Sequence, residues 1–64
     1  MCESTAYIVK GDKEELFLKD VVRIVPQEQG KLLVESLLGE QKEFSGQIRE
    51  IDFTGHKILL VESK

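Results

Sequence analysis

Apolar and polar positions alternate from the start of the chain. Cys2, Ser4, Ala6 and Ile8 fall on one face and Glu3, Thr5, Tyr7 and Val9 on the other, the two-residue period of a β-strand. Lys10-Gly11-Asp12-Lys13 then predicts a turn, and a hairpin into Glu15-Leu16-Phe17-Leu18 continues it. A helix over 12–22 competes here, with Asp12 as N-cap, Glu15 three residues on, and Leu18, Val21 and Val22 at helical spacing. The strand is preferred because Val21-Val22-Arg23-Ile24-Val25 is rich in β-branched residues, and Pro26 stops it by removing a ladder donor. Gln27-Glu28-Gln29-Gly30 reads as a polar turn, Leu32 to Leu38 as a further apolar run, and Gly39-Glu40 as its end.

The longest candidate strand, 41–53, changes its apolar phase from Phe44 and Ile48 to Ile51 and Phe53, and it holds Gly46 inside. A bend or bulge near Gly46 explains both features, since an extra residue flips the inward face. Thr54-Gly55-His56-Lys57 predicts the last turn, before Ile58-Leu59-Leu60-Val61. Five or six short strands of this kind predict an all-β fold, a small, partly open barrel of Sm-like or SH3-like type.

Length and charge narrow the functional classes. Sixty-four residues make a single domain, 1–64, whose core is small, since a chain of this size buries only roughly 60% of its unfolded surface. A metal or a partner subunit usually supplements such a core, and a lone cysteine cannot form an internal disulfide. A homodimer is therefore expected. No apolar run suits a membrane span and no secretory segment is visible, which points to a soluble protein in the reducing cytoplasm. Nine Lys and Arg stand against twelve Asp and Glu, a net charge of −3, and the bases sit beside acids as in Lys13-Glu14, Lys42-Glu43 and Arg49-Glu50. That mixture argues against a phosphate-binding stripe.

Candidate chemistry centres on Cys2, which lies next to the terminal amine. With Met1 removed, the amine and thiolate of Cys2 close one five-membered chelate ring; with Met1 retained, its amine, the Cys2 amide nitrogen and the sulfur close two fused rings. Planar N/S donor sets suit Ni(II) or Cu(II). The competing reading of Cys2 is a small apolar residue opening a strand. His56, the sole imidazole, is either a further ligand or an exposed turn residue. No nucleophile–base pair, acid/base dyad or phosphate loop is present, so the chain is read as a binder and not an enzyme.

The opening Met1-Cys2, the segment Gly39-Glu40-Gln41-Lys42-Glu43 and the run Gly46-Gln47-Ile48-Arg49-Glu50-Ile51-Asp52-Phe53, closed by His56-Lys57-Ile58, resemble the CooT family over nearly the whole chain. The resemblance implies a small nickel-binding accessory protein for maturation of carbon monoxide dehydrogenase. It also implies an Sm-like fold, a homodimer, and Ni(II) held through Cys2. On the coordination argument, two such chains meeting at a dimer axis supply four ligands, with the Met1 amine and His56 as further contributors. The opening dipeptide is similar also to the start of the HypC chaperones, whose second-residue cysteine binds iron, but the rest of the chain is unlike theirs. Similar small proteins have been labelled RNA-binding, so an Sm-like RNA-binding module is the alternative, with Tyr7, Phe17, Phe44 and Phe53 as its available stacking residues. A third is an assembly domain whose ligand is another protein.

Overall fold

A computed structural model describes residues 3–63. Five strands follow one another: β1 (Ser4–Lys10), β2 (Lys13–Pro26), β3 (Lys31–Ser36), β4 (Gln41–Asp52) and β5 (Lys57–Glu62), with one turn of 3-10 helix at Glu28–Gly30. They form a single closed barrel in chain order. Each hairpin reverses direction, so the first and fifth strands of the meander run the same way. The ring therefore closes through a parallel ladder, Thr5 opposite Lys57 to Ile8 opposite Leu60, while the other four contacts are antiparallel.

β2 and β4 are long because each serves two partners. β2 pairs with β1 from Lys13 to Val21 and with β3 from Val21 to Pro26. Its bend falls at Asp20, whose φ of 56° lies in the left-handed region that short polar residues tolerate best after glycine. The Leu37 amide donates to the Asp20 carbonyl at 2.8 Å, which satisfies a group the bend would otherwise strand. This segment is strand throughout, so the competing helix over 12–22 does not form; its apolar positions are satisfied by the two faces of a sheet.

β4 pairs with β3 through Ser45 and with β5 from Gly46, and a bulge lies between Ile48 and Glu50. Gly46 is buried at the crossover, where a Cβ would come within 2.2 Å of the Val61 carbonyl oxygen and 2.5 Å of Phe44 Cε2. Glycine is required here for close approach of two backbones. The expected irregularity is real, but it divides in two: a contact at Gly46 and a bulge at Arg49.

The core takes one face of every strand. Ala6, Val34 and Leu60 are fully enclosed, and Leu18, Val21, Leu32, Phe44 and Ile58 complete it. Phe17 packs its ring edge-on against Phe44, with centroids 5.4 Å apart. Two sequence expectations are corrected. Leu37 and Leu38 leave the strand, because Ser36 ends β3 by accepting the Glu40 amide on its Oγ at 3.1 Å and starting the turn. Ile51 and Phe53 do not become inward-facing after the bulge: Ile51 is 42% exposed, Phe53 80%, and Ile48 before it 37%. The end of β4 overshoots β3, so no opposite face covers these side chains.

Candidate functional site

Cys2 and Met1, the first two candidate ligands, lie outside the described residues. The structure does fix the strand that leads away from them. Ser4 stands opposite Val21 of β2, and the Thr5 amide donates to the His56 carbonyl at 2.9 Å. The N-terminal end of β1 is thereby tied to the β4–β5 turn, which carries the chain's only histidine.

That turn is built by Asp52. Its Oδ1 accepts the Thr54 amide at 3.0 Å and the Gly55 amide at 2.9 Å, an Asx turn that frees the following residues from strand geometry. A Cβ at Gly55 would meet Asp52 Oδ2 at 2.7 Å, which accounts for glycine inside the turn. His56 follows with a left-handed φ of 56° and an exposed side chain.

Beside the turn, the middle of β2 and the overshooting end of β4 wall an apolar groove of about 490 Å³. Val22 and Ile24 form one side, Ile48, Ile51 and Phe53 the other, and Ser4 and Ile58 lie between them, with His56 at the lining. Sequence reading brought Cys2 and His56 forward but missed this groove. Its signal was present in the phase change of 41–53, which was assigned to the core because alternation alone does not tell whether anything covers a strand's second face.

On the neighbouring surface Lys57 Nζ donates to Glu14 Oε1 at 2.9 Å and sits 5.2 Å from the centre of the Tyr7 ring. The hydrogen bond that Lys57 donates to Glu14, together with the negative charge of that carboxylate, raises the Lys57 pKa above the ordinary 10.5. The pair crosses from β5 over β1 to β2 and so braces the parallel closure. Among the described residues, no three of His, Cys, Asp and Glu converge as a metal site would require. None of them forms a helix long and apolar enough to cross a membrane.

A family profile described as the CO dehydrogenase accessory protein CooT matches residues 1–61. The chain belongs to the CooT family. The match to CooT begins at residue 1, so Met1 and Cys2 both lie within it. The crystal structure of a protein described as a candidate CooT from Carboxydothermus hydrogenoformans superposes with a TM-score of 0.91 at 43% identity, covering 98% of this chain and 100% of that one. An uncharacterized protein of Methanothermobacter thermautotrophicus is 38% identical over 60 residues, 94% of this chain and 88% of its own. Another, from Methanocaldococcus jannaschii, is 35% identical over 60 residues, covering 94% and 96%. As a CooT, the chain is an accessory protein of carbon monoxide dehydrogenase and not itself an enzyme, and its client is that enzyme.

Proposed function

We propose that this CooT binds Ni(II) through Cys2 as a homodimer and supplies the metal during maturation of carbon monoxide dehydrogenase. The observation that supports this reading is the bond from Thr5 N to His56 O, which anchors β1 beside the imidazole-bearing turn. Cys2 is two residues ahead of Ser4, a span of at most about 7 Å, so a thiolate and an imidazole are within chain reach of one ion. Soft sulfur with nitrogen donors favours Ni(II) over the oxygen-seeking Mg(II) and Ca(II). With Met1 removed, the amine and thiolate of Cys2 and the His56 imidazole leave one protomer short of four-coordination, and a symmetry mate completes the set.

Nickel titration followed by calorimetry and by thiolate-to-metal absorbance tests this reading. Wild-type protein takes up nickel with proton release, and affinity rises with pH, because a thiol with a reference pKa of about 8.5 and an amine of about 8 must both deprotonate. Cys2→Ser loses the uptake, and His56→Ala weakens it by a smaller factor. Equal binding by wild type and Cys2→Ser would overturn the proposal.

A further inference from the structure

We infer that the outer edge of β2 over residues 13–17 is a docking site for the client enzyme, which lays an extended, acidic segment along it as an added strand. The inference starts from the accessory role and needs neither the nickel-binding nor the dimeric reading.

β2 meets β1 from Lys13 to Val21 but meets β3 only from Val21 onward, so its first half borders the sheet β2–β1–β5–β4. The two-residue turn Gly11-Asp12 leaves Lys10 and Lys13 as its flanking pair, and in such a hairpin that pair exchanges both hydrogen bonds. Bonding then alternates. Lys13 and Glu15 face β1, while Glu14 and Leu16 turn their N–H and C=O groups outward, where no strand among the described residues meets them. Beyond the register shift at Tyr7 and Ala6 the chain caps its own edge: the Phe17 carbonyl accepts Lys42 Nζ at 3.0 Å, and the Asp20 carbonyl accepts the Leu37 amide at 2.8 Å. Glu14 and Leu16 stay open. Outward main-chain groups at strand spacing are matched by another extended backbone.

Side chains beside the edge suit such a strand. Leu16 lies opposite Tyr7, and Tyr7 opposite Leu59, a row across the outer face in which Leu16 is 56% exposed. The row gives the alternate side chains of an added strand an apolar footing.

Charge selects the partner. Lys13, Lys19 and Lys42 flank the edge and make no ion pair among the described residues, whereas Lys10, Lys31 and Lys57 each hold a glutamate. Glu14 and Glu15, on the same stretch, are committed to Lys57 and Lys10, so the acids without an ion pair there are Asp12 at the turn and Asp20 at the bend. A chain of net charge −3 thus collects its uncommitted lysines along one open edge. Two such edges repel each other, while an acidic segment is drawn to either.

Biolayer interferometry on immobilised carbon monoxide dehydrogenase apoenzyme tests the site. Wild type binds, and its affinity falls as salt rises. Leu16→Pro removes an outward N–H that no ladder bond uses, so the barrel keeps its circular dichroism spectrum while the dissociation constant rises at least about ten-fold. The double variant Lys13→Glu/Lys19→Glu, both positions exposed, loses at least about ten-fold without touching the backbone, and decides the matter if the proline variant fails to fold. Arg49→Glu, an exposed cation at the β4 bulge, binds as wild type does. In the complex, amide exchange of Glu14 and Leu16 slows at least about ten-fold. Absence of binding to the enzyme, unchanged affinity in the double lysine variant, an equal loss in Arg49→Glu, or Glu14 and Leu16 amides unprotected in the complex overturns the inference. Protection of those two amides in the chain alone, as pairing between copies would give, overturns it as well.

Discussion

Replacing Gly46 by alanine tests whether the barrel is as tightly drawn at the β4 crossover as the structure requires. The added Cβ would lie 2.2 Å from the Val61 carbonyl oxygen, 2.5 Å from Phe44 Cε2 and 3.0 Å from Glu62 Cα. Two of these three atoms are backbone and cannot rotate away, and Phe44 is held in the core. To restore ordinary contact, β4 and β5 must separate by about 1 Å, which lengthens ladder hydrogen bonds and loosens Phe44. Overpacking of this kind costs about 1 to 3 kcal/mol, and the backbone contact places Gly46→Ala at the upper end. A domain of this size has a total stability of roughly 3 to 10 kcal/mol. A loss of about 3 kcal/mol lowers Tm by about 12 °C or more. Urea unfolding followed by circular dichroism gives the number, with an unchanged slope showing that the native state is otherwise intact. Gly11→Ala is the comparison, because its φ of +63° disfavours a side chain while nothing lies within 4 Å of the new methyl. It loses about 1 to 2 kcal/mol through backbone conformation alone. If Gly46→Ala lies within about 0.5 kcal/mol of wild type, or Gly11→Ala is the more damaging, the crossover is not the constraint argued here.

Two further substitutions probe the surroundings of the site. Asp52→Ala removes both acceptor contacts of the turn and destabilises the protein by about 1 kcal/mol. Because the turn presents His56 O to Thr5, hydrogen exchange at the Thr5 amide accelerates about five-fold, and unchanged exchange there would separate the turn from the anchoring of β1. Glu14→Gln removes the carboxylate that raises the Lys57 pKa. A raised folded-state pKa stabilises below the unfolded value and loses that contribution as pH rises through the folded one, so the variant's Tm deficit is present at pH 8 and shrinks above 10.5. A deficit independent of pH would show that Glu14 acts by packing.

The strands were legible in the sequence because their signals are local. Alternation in 4–10, the Gly11 turn, the Pro26 stop and the β-branched run 21–25 each speak for a few neighbouring residues, and β1, β2 and β5 follow them. Strand β3 ended early because Ser36 is a capping group only when Glu40 folds back onto it, which the run Leu32 to Leu38 does not disclose. The groove was hidden for a related reason. Ile51 and Phe53 have the composition of a core, and only the unequal lengths of the strands leave them uncovered. Cys2 was legible as chemistry, whereas the tie between the start of β1 and the His56 turn depends on a parallel pairing between residues far apart in the chain.

That parallel pairing also orders events during synthesis. The strand that secures β1 on its open side, 57–62, is the last of the five to be made, more than forty residues after the first. Contacts of such sequence separation form late, since loop closure must be met before they return anything. On the ribosome, β1 can zip onto β2 early, while its other edge stays free until the final strand emerges. The start of β1 is thus joined to the histidine turn only as the barrel closes, so a product truncated or stalled before residue 57 lacks the bond from the Thr5 amide to the His56 carbonyl.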